Sequence, residues 1–122
     1  MKKNIVLVGT ADTKGEQLQF LKERMEKRGH QVILMDISMG GAGKVKGDIS
    51  PEEIASSVGK DMAELTASRD RMWVTDIMTR GAIETAMKLL SEDRLQGIVA
   101  LGGVTIALVG ARIMDRLPFG IP

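Results

Sequence analysis

The sequence has no cysteine among its 122 residues. That excludes disulfides, thiolate nucleophiles and cysteine-bound metals, and it fits a reducing, cytoplasmic setting. The aromatic residues are Phe20, Trp73 and Phe119 alone, too few for the stacking platforms that bind single-stranded nucleic acid. His30 is the sole histidine, so neither a zinc site nor a Ser-His-Asp set can be assembled around it. No sign of charge dominates: 17 basic against 16 acidic residues leave a net charge of +1. Such a balance gives no general attraction to nucleic acid or to an anionic membrane. The apolar run after Lys2-Lys3 is too short for the core of a signal peptide. No segment reaches the roughly 20 apolar residues of a membrane span.

What is present describes a globular chain of one domain or part of one. Apolar residues make up 43% and charged residues 27%, ordinary for a packed soluble domain. A chain of this length can bury roughly two-thirds of its unfolded surface. Its 9 methionines fill volume that aromatics would otherwise take, as adaptable core packing.

Strand and helix patterns alternate along the chain. Asn4–Val8, Gln31–Met35 and Gly97–Leu101 are short, continuous apolar runs, the mark of strands buried on both faces of a parallel sheet. A first helix is expected from about Thr13 to Arg28, with Asp12 as N-cap and Gly29 just past its end. Leu18, Leu21 and Met25 form its apolar face. The stretch Ser38–Asp48 is rich in glycine and reads as a loop. Ser50-Pro-Glu-Glu53 starts a short helix, with Ser50 as cap, Pro51 at the first position and Glu53 completing a capping box. Asp61 to about Ser91 reads as helical with a break near Ser68, and Val104–Arg116 as a last helix. The expected fold class is α/β: an open parallel sheet in order two-one-three, a Rossmann- or flavodoxin-like three-layer sandwich.

The segment Leu117–Pro122 stands where the next strand of such a chain is due. The chain therefore reads as the N-terminal half of a larger two-subdomain protein, a single nucleotide-binding subdomain over residues 1–122. A three-stranded sheet is small for independent stability. Its outer strands call for cover by that second subdomain or by another copy, so a homo-oligomer is expected.

Parallel sheets bind ligands at the carboxyl ends of their strands, where the strand order reverses. Three segments share that edge. The first is Gly9-Thr10-Ala11-Asp12-Thr13-Lys14-Gly15, a strand-to-helix turn of the kind that holds phosphate on a helix N-terminus. Gly9 and Gly15 also suit a tight turn with no ligand, Asp12 suits a cap, and Lys14 suits a solvated surface. The spacing is that of neither a Walker A loop nor GxGxxG. The second segment is Asp36, placed either to accept from ribose hydroxyls or to cap a turn. The third is Gly102-Gly103 with Thr105, where a glycine pair lets backbone approach a ligand closely or packs tightly. On this reading phosphates sit on the Gly9–Gly15 turn, with the amides of Thr13 and Lys14 as donors and the Thr10 or Thr13 hydroxyl assisting. Lys44 and Lys46 can close over the ligand from the glycine-rich loop, and one of Arg69, Arg71 and Arg80 is placed to face it. The opposing reading is a protein-interaction domain without nucleotide function.

The run Val8-Gly-Thr-Ala-Asp-Thr-Lys-Gly-Glu16 resembles the GTxDTKGE segment that opens the plant tobamovirus-resistance-like ATP-binding proteins. The resemblance continues in order through Asp36, Asp48-Ile-Ser50, Arg80-Gly-Ala82, Leu101-Gly-Gly103 and Leu117-Pro-Phe-Gly-Ile-Pro122. It implies an ATP-binding α/β subdomain, ATP alone or with Mg²⁺ as cofactor, and a second α/β subdomain to follow. The plant member binds a viral replication protein; no settled reaction comes with the bacterial ones. The chain departs from that pattern after Gly103, where Val104-Thr-Ile-Ala107 replaces a GGSGGT-like loop and leaves less room for phosphate.

Overall fold

The computed structural model describes residues 3–39 and 45–122. Its elements are β1 (Asn4–Gly9), α1 (Ala11–Lys27), β2 (Gln31–Asp36), α2 (Pro51–Ser56), α3 (Met62–Ala67), α4 (Arg71–Ser91), β3 (Gly97–Ala100) and α5 (Val104–Arg116). The sheet is parallel, in the order β2-β1-β3, as the patterning predicts.

Two apolar layers explain why the strands are apolar without alternation. Val6 and Val8 of β1, with Ile33, Met35 and Ile98, face a layer built by α2, α3, α4 and α5. Leu7, Val32 and Leu34 point the other way, against Ala11 and Leu18 of α1. Successive residues of a strand point to opposite faces, so a strand covered on both sides needs an apolar residue at every position. Leu7, Leu18 and Leu34 are fully buried, worth about 1.5–3 kcal/mol each relative to exposure.

Local signals set most element ends. Gly29 follows α1 with φ of +91°, a left-handed residue that only glycine takes without strain. The Ser50 hydroxyl accepts from the Glu53 amide at 3.2 Å and Pro51 opens α2. Glu53 turns its carboxylate to the Ser50 hydroxyl, at 3.4 Å. Ser68 is the expected break between α3 and α4, and Asp61 and Asp70 cap the two pieces. One end differs. Thr10, not Asp12, is the N-cap of α1, and its hydroxyl makes no capping bond. A first turn from Ala11, capped by a carboxylate from another element, precedes a kink at Lys14 (φ −123°, ψ 25°).

The outer edge of β2 is closed by the chain itself. Ile49 forms a parallel bridge with Met35. Asp48 Oδ2 accepts from the Leu34 amide at 2.7 Å and from Lys22 Nζ at 3.2 Å. None of the described helices is long and apolar enough to cross a membrane.

Candidate functional site

All three strands end at one edge, and α1, α4 and α5 all begin there, because each helix before or after a parallel strand runs back along the sheet. The chemistry of that edge depends on which helix N-termini still have donors to offer.

At α1 none do. The Ala11 amide donates to Asp36 Oδ1 at 3.0 Å. The Asp12 amide donates to Ser38 Oγ at 3.1 Å. The amides of Thr13 and Lys14 donate to the Thr10 carbonyl at 3.2 and 2.8 Å. Asp36 is 6% exposed, and its Oδ1 also accepts from the amide and hydroxyl of Ser38. A helix N-terminus favours an anion, and here the anion is the protein's own carboxylate. Asp36 therefore acts as a cap reaching across from β2 and does not face outward toward a ribose. Thr13 and Lys14 do not have free amides for phosphate, because the first turn of α1 has already engaged them. Asp12 adds a second carboxylate, whose Oδ1 is shielded from solvent and lacks a partner among the described residues.

The glycines sort in the same way. A Cβ on Gly9 would lie 2.7 Å from Leu18 Cδ2 and 3.0 Å from the Leu101 carbonyl, and one on Gly102 would lie 2.7 Å from Ile106 Cγ1. Both positions are glycine because side chains pack onto them. A Cβ on Gly15 would lie 3.2 Å from Val45 Cγ2, a tight fit. Gly103 differs: nothing lies within 4 Å of the place a Cβ would take. Its φ of −80° and ψ of −160° suit any residue.

Gly103 is the N-cap of α5, and no side chain caps that helix. The first intrahelical bond there is from the Ala107 amide to the Gly103 carbonyl, at 3.0 Å. The α5 N-terminus opens into a cleft of about 430 Å³ lined by Thr10, Met39, Arg71, Thr75, Gly103, Val104, Thr105 and Ile106. The cleft lies between the ends of β1 and β3, at the strand-order reversal. Arg71, at the first position of α4, brings the one charged side chain among the described lining residues. Of the residues expected at the site, the structure gathers Thr10, Gly103 and Thr105 around this cleft. Gly9, Asp12, Thr13, Lys14, Gly15, Asp36 and Gly102 do not line it. Lys46 is exposed and does not line it either, and Lys44 lies outside the described residues. His30, the sole histidine, is partly buried at the other edge of the sheet, with Nδ1 shielded and unpartnered among the described residues.

Sequence reasoning missed Ser38, Met39 and Thr75. The spacing Asp36-x-Ser38 at a strand end is a local signal for side chain-to-backbone turn bonding. Thr75 stands four residues after Arg71, on the same face of α4. Its hydroxyl lies 3.7 Å from Met39 Sδ.

Comparison with known proteins settles the family. Residues 3–122 match the family described as Uncharacterised protein family (UPF0261) N-terminal domain. The chain belongs to the UPF0261 family. A UPF0261 protein of Clostridium tetani is 33% identical over 122 residues, all of this chain and 30% of that protein. One of Rhizobium meliloti is 35% identical over 120 residues, 98% of this chain and 29% of its own length. One of Brucella suis is 27% identical over 118 residues, covering 97% and 28%. The chain thus spans under a third of the length of these relatives. The resemblance to tobamovirus-resistance-like ATP-binding proteins is corrected by these matches: the family shown over nearly the whole chain is UPF0261.

Proposed function

We propose that this UPF0261 domain binds a phosphorylated small molecule, with a nucleotide such as ATP as its leading identity, and that the phosphates lie on the N-terminus of α5. The observation that carries this reading is Gly103. Neither packing nor backbone conformation requires glycine there, and an N-cap glycine leaves the first amides of α5 without the side-chain acceptor that serine or aspartate would supply. A phosphate would accept from those amides, with the Thr105 and Thr10 hydroxyls beside it and the Arg71 guanidinium across the cleft. The cleft volume of about 430 Å³ is within the range of small-ligand pockets. No group of three or more His, Cys, Asp or Glu among the described residues is placed to hold a metal. Mg²⁺ arriving with the nucleotide would be held chiefly by phosphate oxygens and water.

The reading places the ligand in a cytoplasmic protein, in a cleft to which the remainder of the longer proteins would add walls. A second reading, assembly with another protein or another copy, is favoured by one observation: Val104, Leu108 and Phe119 are 79%, 62% and 107% exposed. The two are separated by thermal unfolding with and without ATP. Binding at 100 times Kd raises stability by about 2.7 kcal/mol, and Gly103→Asp should remove that gain. An ATP-independent transition supports the assembly reading; one raised equally in the variant puts the nucleotide away from Gly103.

A further inference from the structure

A second concavity lies in the groove between α4 and α5, lined by Ser57, Val58, Arg80, Ile83, Glu84, Arg112 and Arg116. Its volume is about 350 Å³. With about 1.5 Å of rise per residue, Arg80 lies roughly 13 Å along α4 from Arg71, well away from the carboxyl-edge cleft.

Three guanidinium groups share this concavity with one carboxylate. None of the three arginines is ion-paired among the described residues, where the recorded pairs are Lys22–Asp48 and Arg94–Glu92. Arg112 and Arg116 stand four apart on α5, a like-charge spacing that destabilises a helix. Asp115, three residues after Arg112, and Asp76, four before Arg80, are within helical reach of those arginines, but neither lines the concavity. Glu84 is one turn from Arg80 but carries a single charge against three. The Ser57 hydroxyl already donates to the carbonyls of Ile54 and Gly81, so binding capacity rests on the arginines. Val58 and Ile83 give the concavity apolar walls, which strengthen a charge interaction by keeping water from one side. Guanidinium groups from two helices around one hollow match the planar, bidentate recognition of phosphate and carboxylate.

We propose that the α4–α5 groove is a second anion site, formed by Arg80, Arg112 and Arg116, for a small ligand with several phosphate or carboxylate charges. It is independent of the ligand at Gly103 and uses none of its residues.

The test is a titration of the isotope-labelled chain with pyrophosphate, followed by the amide NMR shifts. A saturable set of shifts is expected along the groove, at residues 80–84 and 109–116. In Arg112→Gln/Arg116→Gln those shifts should require about tenfold more pyrophosphate, the scale of losing charge-assisted bonds. Any shifts at Gly103 to Thr105 should be unchanged in that variant. Arg71→Gln should leave the groove shifts untouched. The proposal is overturned if pyrophosphate produces no saturable groove shifts, or if they persist at the same concentration in the double variant. Failure of the Gly103 reading leaves a different trace, the loss of shifts at 103–105 alone.

Discussion

Of the three helices that begin at one edge of this sheet, α1 and α5 treat their N-termini oppositely. At α1, Asp36, Ser38 and the Thr10 carbonyl take the first amides. At α5, an uncapped glycine faces open space. The orphan donors of a helix are a fixed cost that something must satisfy. Satisfied from within, they hold two strands and a helix together; left to a ligand, they become a binding site. In the sequence the Gly9–Gly15 turn looks the better seat for phosphate, with less room after Gly103; the fate of the amides points the other way.

The comparison can be broken most forcefully at Asp36. Asp36→Ala removes a buried carboxylate that accepts three hydrogen bonds. It should lower stability by about 2–4 kcal/mol, the scale of unsatisfied buried donors and lost charged bonds, read as a drop in the urea midpoint. A loss below about 0.5 kcal/mol would be that of a surface residue and would contradict its role as the cap of α1. Gly9→Val comes next. Its side chain must displace Leu18 and meet the Leu101 carbonyl, and overpacking of that kind costs about 1–3 kcal/mol. The change should appear in unfolding whether or not ligand is present.

At α5 the expected effects fall on binding. Gly103→Asp places a carboxylate on α5 as Asp36 does on α1. It should leave stability unchanged or raise it by about 0.5–1 kcal/mol, while ATP binding measured by calorimetry falls by more than about tenfold. Gly103→Ala, for which there is open space, should fold normally and bind more weakly. Arg71→Gln should weaken ATP by several-fold, more at low salt than at high, because the contact is an exposed charge pair. The smallest effect is expected for Lys14→Ala: no measurable change in ATP affinity. A large loss there would return the phosphates to α1.

The sheet order, the break at Ser68 and the cap at Ser50 were legible because each depends on local pattern: apolar runs, turn residues and a Ser-Pro-x-Glu start. The helix start at Ala11 was not legible. It depends on Asp36, which is 25 residues away in sequence, and a carboxylate at a strand end reads the same whether it turns inward to a helix or outward to a ligand. Gly9, Gly102 and Gly103 are identical in the sequence for a similar reason. Leu18 and Ile106 fill the space beside the first two, and that is a tertiary fact. Arg71 was visible only as one of three arginines on or near the long helix, since its place at the cleft depends on where α4 begins. The family resemblance was carried by short elements, whereas membership in UPF0261 rests on a match over residues 3–122.

Amide NMR of the isotope-labelled protein titrated with Mg-ATP tests the difference between the two helix starts most directly. The account predicts saturable shifts at Gly103, Val104 and Thr105, with the Ala11 and Asp12 amides, held by Asp36 and Ser38, staying in place. Saturable shifts at Ala11 to Lys14 with none at Gly103 to Thr105 would contradict it.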